Sequence, residues 1–205
     1  MAISVRILKI PRPLLGYNTV RSNYWRVFMP DQQVADLGSL VSTLESSGVA
    51  PDSEALDKVA RTLAKLFGVD TDEVAVLKLM PKYKSLKFVI PAKLTPVGTI
   101  PLTSTTALAA RTARERKPEV VNNFSTARHA NVFEAVPLGR DPTELIQKIM
   151  SAPILDGTRV HGVVQISRKA KSHSQAGADF TQKDLRTLIS LSPTLDCFLK
   201  LCHVE

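Results

Sequence analysis

The stretch Asp156–Leu201 decides the fold of this 205-residue chain. It opens with DGTRVHGVVQISRK at residues 156–169, passes through a small polar loop, and enters FTQKDL at residues 180–185. Asp156-Gly157 is a typical turn pair, and the run Arg159–Ser167 that follows it is strand-like. The stretch therefore predicts a β-hairpin.

A capped helix is predicted after the polar loop. Four residues have the identities of a capping box with a hydrophobic staple: Phe180, Thr181, Asp184 and Leu185. Pro193 interrupts the apolar stripe of this helix. We therefore expect either a kink or a new helix with Ser192 as its cap and Pro193 at its first position.

The spacing of apolar residues predicts the elements upstream. Helical spacing covers residues 31–47, 52–67, 104–117 and 143–150. Strand-like runs cover residues 73–80, 84–90 and 118–124, and the first two are expected to form an antiparallel hairpin. Residues 91–102 and 125–142 are expected to be loops. We divide the chain into an N-terminal arm and helix, residues 1–50, and a domain, residues 51–205.

The composition is that of a soluble globular protein, with 44% apolar and 22% charged residues. No apolar run approaches the roughly 20 residues that cross a bilayer, and Arg6, Lys9 and Arg12 interrupt the N-terminal apolar residues. We therefore expect a cytoplasmic protein with no membrane partner. Cys197 and Cys202 are five residues apart on a predicted helix, so we expect both thiols to be free.

The net charge of +8 raises the question of a nucleic-acid partner. The basic residues are spread along the chain and thicken only modestly, at residues 111–117 and 168–171. Neither cluster contains interleaved aromatic residues that could stack on bases. We therefore interpret the charge as a solvated basic face and do not expect nucleic-acid binding.

Several short phrases, in their order and spacing, resemble the GAF domain family. They are Ile100-Pro101-Leu102, Lys117–Val121, Ala152-Pro153-Ile154, Val160–Ile166 and Phe180–Leu185. The resemblance covers about residues 52–202. It implies an α+β fold, in which helices flank a central antiparallel sheet of about five or six strands. It also implies a sensory or regulatory module, often dimeric through terminal helices.

The resemblance further implies a ligand pocket between one face of the sheet and the irregular segment 120–150. Asn122 and Asn123 follow a predicted strand, and Phe124 and Phe133 flank this segment, so these four residues are candidates for ligand binding. The alternative for the two asparagines is a simple strand-ending turn.

Strand alternation places His161 and Gln165 on one face of the late strand, together with Val163. A buried Gln165 needs a hydrogen-bond partner, which a ligand can supply. Alternatively, Gln165 bonds neighbouring backbone or faces water, and His161 is an ordinary core or surface residue.

Sites of catalysis are not apparent in the sequence. The four histidines show no metal-ligand spacing, and no phosphate-binding glycine loop or nucleophile elbow occurs. Relatives that carry bilins or reduce methionine sulfoxide use cysteines near the pocket, whereas both cysteines here lie in the last helix. The chain also lacks the cyclic-nucleotide pattern of the family. We therefore expect no enzyme and no metal, and the sequence identifies no cofactor.

Two hypotheses for function remain. The first is a stand-alone sensory or regulatory module that binds a small molecule and signals through a homodimer or an unidentified protein partner. The alternative is a dimerisation and interaction scaffold that uses the same fold without a small-molecule ligand.

Overall fold

The computed structural model describes residues 30–124, 141 and 143–203. A six-stranded antiparallel sheet lies at its centre, in the order β3-β2-β1-β6-β5-β4. The strands are β1 Val74–Met80, β2 Ser85–Ile90, β3 Thr99–Pro101, β4 Glu119–Val121, β5 Leu145–Asp156 and β6 Arg159–Ala170. This sheet confirms the α+β fold that the sequence predicts.

The hairpin of β5 and β6 lies in the interior of the sheet and confirms the first sequence prediction. Gly157 has a φ of +58°, which an L side chain adopts only at a cost, and Asp156 pairs with Arg159 across the turn. The pairing then runs from this turn to Leu145 and Ala170 at the other end. β1 joins the opposite side of β6, so β6 is covered on both edges.

In the described part of the chain, five α-helices flank the sheet. They are α1 Pro30–Ser47, α2 Ser53–Phe67, α3 Leu108–Glu115, α4 Gln182–Ser190 and α5 Ser192–Leu201. α1, α2, α4 and α5 share one apolar core with one face of the sheet. α3 packs its alanines against the other face, so the sheet is buried on both sides. Among the described residues, no helix has both the length and the apolarity needed to cross a bilayer.

The ends of α2 follow from its local sequence. The Asp52 carboxylate accepts a hydrogen bond from Ala55 N at 2.8 Å, which satisfies one of the amides exposed at the start of the helix. Gly68 closes the helix in the left-handed region with a φ of +62°. The apolar face between them is buried, and each larger side chain contributes about 1.5–3 kcal/mol. Packing therefore sets the position of α2.

The predicted capping box of α4 is present. Thr181 Oγ1 accepts a hydrogen bond from Asp184 N at 3.2 Å, and Asp184 Oδ2 accepts one from Thr181 N at 2.7 Å. A new helix, α5, begins near Pro193, as one of the two alternatives predicts. Ser192 does not serve as its cap, because its hydroxyl instead accepts a hydrogen bond from Leu155 N of β5 at 2.8 Å.

The sequence prediction of a helix over residues 143–150 was wrong, because residues 145–150 are the first part of the long strand β5 and residues 143–144 precede it. Leu145, Ile146, Ile149 and Met150 mimic the spacing of a helix face. In the structure both faces of the strand are covered from residue 147 to residue 154, so no simple alternation reveals it. Even Lys148 is buried there, 4% exposed, and donates to the Gly177 carbonyl at 2.6 Å.

Two smaller corrections concern residues 91–117. The predicted loop 91–102 contains the short edge strand β3, which pairs with β2. The helix predicted from residue 104 begins only at Leu108, because residues 102–106 form turns. Ser104 Oγ accepts a hydrogen bond from Ala107 N at 3.1 Å within this segment.

Candidate functional site

A cavity of about 110 Å³ lies between the sheet and the N-terminal end of α3. Most of its lining is apolar, and the larger apolar side chains are Phe88, Leu94, Ile100, Leu108, Phe124 and Ile149. The volume is slightly below the roughly 150 Å³ of an engineered cavity that holds benzene. The described walls therefore suit a compact ligand.

Gln165 lines this cavity and is held by a chain of hydrogen bonds that fixes the orientation of its amide. Thr112 Oγ1 donates its single hydrogen to the Leu108 carbonyl at 3.0 Å and lies 2.7 Å from Ser151 Oγ. Ser151 must therefore donate to Thr112, so it can only accept from Gln165, whose Nε2 lies 3.1 Å away. Gln165 Oε1 consequently faces away from Ser151, and no described residue donates a hydrogen bond to it.

A second polar group borders the cavity and consists of residues that satisfy one another. The buried carboxylate of Glu73 accepts hydrogen bonds from Lys169 N at 2.6 Å and Asp70 N at 2.8 Å. Lys169 Nζ donates to Asp72 Oδ2 at 3.2 Å, and Ser167 Oγ donates to the Glu73 carbonyl at 3.1 Å. These contacts tie the start of β1 to the end of β6 and stabilise the polar end of the cavity.

Asn122, a predicted ligand contact, has a structural partner instead. Its Nδ2 donates to the Phe180 carbonyl at 3.0 Å, and its Oδ1 accepts from Phe180 N at 3.0 Å. This reciprocal pair of hydrogen bonds resembles one step of a β-ladder. It attaches Phe180, which precedes α4, to Asn122, which directly follows β4. Asn122 is not among the residues that line the cavity.

Three other predicted contacts have different positions. Phe124 is buried and lines the cavity. Asn123 is exposed and is not among the lining residues. Phe133 lies outside the described residues.

His161 lies apart from Gln165, because β6 is irregular at this residue. Ile154 pairs with Gly162 and Leu155 pairs with Val160, which leaves His161 as the extra residue of a bulge. Its Nδ1 lies 2.6 Å from Asp196 Oδ1 of α5. The prediction that His161 shares a face with Val163 and Gln165 was therefore wrong.

Among the described residues, Asp156, His161 and Asp196 bring their polar atoms within 4.8 Å of one another, a spacing that a metal ion can bridge. The Lys200 ammonium already lies between the two carboxylates, 2.7 Å from Asp196 Oδ2 and 3.2 Å from Asp156 Oδ2. This lysine supplies the positive charge that the carboxylates require. We therefore interpret the cluster as an ion-pair network.

Both cysteines lie away from the cavity, and neither forms a disulfide. Burial raises the pKa of the Cys202 thiol to about 11, and the nearby Lys78 ammonium opposes this shift. The neutral thiol donates to the Phe198 carbonyl at 3.3 Å. Cys202 is therefore a core residue and not an activated nucleophile.

Four other residues at the cavity were not predicted from the sequence: Thr112, Ser151, Glu73 and Lys169. Ser151 lies directly opposite Gln165 in the β5–β6 register, so recognition of β5 as a strand would have predicted their contact. No comparable signal marks Thr112 or Glu73, because their contacts depend on how α3 and the start of β1 pack in three dimensions.

Comparison with known proteins gives the same fold. The family model for the GAF domain matches residues 53–194. No curated protein matches this chain at a significant level.

Solved structures of GAF domains are similar to the chain over most of its length. The GAF domain from an Acinetobacter phosphoenolpyruvate-protein phosphotransferase aligns with a TM-score of 0.58 and 14% identity, over 82% of this chain and 93% of that chain. A GAF domain of A. aeolicus in an inactive state aligns with a TM-score of 0.56 and 16% identity, over 84% and 96%. The free methionine-R-sulfoxide reductase from Neisseria meningitidis, in complex with its substrate, aligns with a TM-score of 0.56 and 15% identity, over 84% of this chain and 89% of that chain. At these identities the structures show a shared fold, and since the family model spans most of the sequence, this chain belongs to the GAF domain family.

Proposed function

We propose that this GAF domain is a sensory or regulatory module that binds a compact small molecule in the cavity beside α3. Gln165 carries the proposal, because its Oε1 belongs to a cavity-lining side chain and no described residue donates to it. The bond from Gln165 Nε2 to Ser151 holds that oxygen in place before a ligand arrives. The ligand would therefore present an N–H or O–H donor to Gln165 and an apolar surface to the remaining walls.

Binding would be passed on through α3. Leu108 and Ala109 of this helix, with the preceding Ala107, supply one wall of the cavity, and the same helix ends beside the start of β6. Thr112 links the helix to Ser151 and thereby to Gln165. A ligand that shifts Gln165 would alter this chain of bonds, and we propose that a homodimer contact or a protein partner senses the change.

A thermal-shift screen of small polar metabolites on the full chain tests the proposal. We expect at least one compound to raise the melting temperature in a saturable manner, because a ligand that binds only the folded state stabilises it. In Gln165→Met, which keeps the length of the side chain but removes the amide, the shift should disappear. Gln175→Met is the matched control, since Gln175 is exposed and lies outside the cavity lining.

Two results would contradict a ligand-binding role. One is the absence of any stabilising compound. The other is an equal loss of the shift in both methionine variants, which would place binding elsewhere. Ala109→Leu provides a further test of ligand binding. It introduces three carbons into the cavity wall and should block the ligand without unfolding the protein.

The small size of the cavity favours a second candidate, a dimerisation and interaction scaffold without a ligand. A volume of about 110 Å³ is well below the ~300–1,000 Å³ of ordinary ligand sites. A scaffold predicts that Ala109→Leu stabilises the protein and leaves its assembly unchanged. Deletion of residues 1–29, measured by light scattering, would test assembly without removing α1, whose Leu37 belongs to the core.

We propose that the chain is not an enzyme and that it is cytoplasmic. Its two cysteines lie in and directly after α5, outside the cavity lining, so they cannot act on a molecule bound there. Both thiols are unpaired, which suits a reducing compartment. Turnover of free methionine sulfoxide by the purified chain would contradict the first statement.

A further inference from the structure

A second depression lies at the opposite end of α3 from the cavity. It is an open cleft of about 640 Å³ between the C-terminal ends of α3 and α5, across the end of β1 and the start of β6. Apolar side chains contribute to its surface, with Ala113, Val160 and Leu199 buried and Leu79 half-buried. Its volume falls in the range of small-molecule sites.

The cleft is strongly basic. Among the described residues that line it, none is aspartate or glutamate and five are lysine or arginine: Lys78, Arg114, Arg116, Arg159 and Lys200. Just outside the lining, Asp156 and Asp196 bind Lys200. Five positive charges against these two carboxylates leave three uncompensated, before any charge on His161 is counted.

Helix C-termini attract cations, and this accounts for part of the cluster. Lys78 Nζ donates to the carbonyls of Leu199 at 2.8 Å and Cys202 at 2.6 Å, at the end of α5. Arg114 donates to the Ser104 carbonyl at 2.7 Å and also to the Leu102 carbonyl. These residues support the local backbone and add their charge to the cleft.

Arg116 and Arg159 have no such structural role. Both are exposed and line the cleft from different elements, the end of α3 and the start of β6. In the described part of the chain, the side chain of neither arginine forms a hydrogen bond or an ion pair. Arg116 moreover has a φ of +53° in the left-handed position that closes a helix, where α2 uses Gly68. An arginine here is less favourable for the backbone than glycine.

The chemistry of the cleft favours a phosphate group. Guanidinium groups bind phosphate oxygens through paired hydrogen bonds, and two of them on different walls can hold one dianion. The half-buried Leu79 and the exposed Pro81 offer an apolar surface for an organic body attached to the phosphate. Among the described residues that line the cleft there is no phenylalanine, tyrosine or tryptophan, so these residues do not form the stacking platform of single-stranded nucleic-acid sites.

We propose that this cleft, here called the basic cleft, binds a soluble organic phosphate, with Arg116 and Arg159 as its principal phosphate ligands. The site is separate from the cavity that contains Gln165, so one domain would respond to two different molecules. The proposal does not depend on the ligand of that cavity.

Isothermal titration of the full chain with adenosine 5′-monophosphate, inorganic phosphate and adenosine tests this assignment. We expect saturable 1:1 binding of the monophosphate, weaker binding of inorganic phosphate and no binding of adenosine. The double variant Arg116→Gln with Arg159→Gln should bind the monophosphate at least tenfold more weakly. The control is the double variant Arg61→Gln with Lys65→Gln on the exposed face of α2, which removes the same charge. Its Kd for the monophosphate should stay within twofold of the unchanged protein.

Arg116→Gly separates binding from folding. It should raise the unfolding midpoint, because glycine suits the left-handed backbone, yet it should lower the affinity for the monophosphate. An equal loss of affinity for the monophosphate in the cleft double variant and in the α2 double variant would overturn the proposed site, since net charge alone would then explain binding. No saturable binding, or equal affinity for monophosphate and inorganic phosphate, would also overturn it. So would binding to phosphatidic-acid vesicles without any binding to soluble phosphates.

Discussion

Gly162 is a point of close approach between the sheet and α5. A Cβ atom built at this position would lie 2.2 Å from the Leu77 carbonyl oxygen on the neighbouring strand and 2.5 Å from Leu199 Cδ1. The first of these neighbours is backbone and cannot move without distorting the β1–β6 pairing. Glycine at this position therefore allows α5 to pack directly on the sheet, immediately next to the bulge at His161.

Gly162→Ala should lower the free energy of unfolding by about 1–3 kcal/mol, the usual cost of overpacking a core. Gly38→Ala is the matched control, because Gly38 lies inside α1 and a Cβ atom added there would meet nothing within 4 Å. Alanine there should raise stability by about 0.5–1 kcal/mol through helix propensity. Urea unfolding midpoints measure both, and effects of the same sign would contradict this account of Gly162.

At the scale of elements, one ion pair connects β5 to the loop before α4. Lys148 is buried in β5, and its Nζ lies 2.7 Å from Asp179 Oδ1. The hydrogen bond from Lys148 lowers the pKa of Asp179 below its ordinary value of 3.8. Since the folded state binds this proton less readily than the unfolded chain, the pair stabilises the fold above pH 3.8. That stabilisation is lost as the pH falls through the lowered pKa.

Asp179→Asn should therefore lower the unfolding midpoint near neutral pH and should also flatten its dependence on pH below 4. Asp36→Asn is the control, because Asp36 is exposed on α1 and forms no ion pair in the described structure. Denaturant midpoints measured from pH 2 to pH 7 give both curves. If the acid slope of Asp179→Asn matches that of the control, the pair contributes nothing to acid stability.

The elements that could be predicted are those whose signals are local. Asp52 and Gly68 mark the ends of α2, Thr181 with Asp184 marks the start of α4, and Asp156-Gly157 marks the central turn. Each signal lies within four residues of the backbone group that it satisfies, so a single sequence contains it.

The features that could not be predicted depend on long-range packing. β5 is buried on both faces, so its residues lack alternation and mimic a helix. The bulge at His161 shifts that side chain off the face of Gln165, and nothing in the run of residues 159–167 marks it. Of the candidate site residues, the structure brings Gln165 and Phe124 together at the cavity, while Asn122 pairs with Phe180, 58 residues away.

At the scale of the whole molecule, α3 is the element that both proposed sites share. Its first residues line the cavity, and its last residues line the basic cleft. The helix has eight residues and is about 12 Å long at 1.5 Å per residue. Occupation of one site can therefore bias the other if α3 moves as a rigid body, and the coupling must be reciprocal.

α1 shares an apolar core with one face of the sheet. Leu37 is fully buried and Val41 nearly so, in the core that also contains Leu195 and Phe198 of α5. Residues 1–50, which the sequence sets apart as an arm and helix, thus include a helix that packs on the sheet-side core. An element that shares a core with the domain should unfold together with it.

Leu37→Ala should consequently destabilise the whole domain by about 2–5 kcal/mol, the cost of an unfilled core position. Ser39→Ala is the control, because the Ser39 side chain is exposed and its change should stay within about 0.5 kcal/mol. Urea unfolding followed by circular dichroism, and hydrogen exchange of the β6 amides, should report a single shifted transition in Leu37→Ala. If α1 unfolds at a lower urea concentration while the β6 amides remain fully protected from exchange, α1 is a separate unfolding unit. A conformational signal in α1 would then not be transmitted through the shared core.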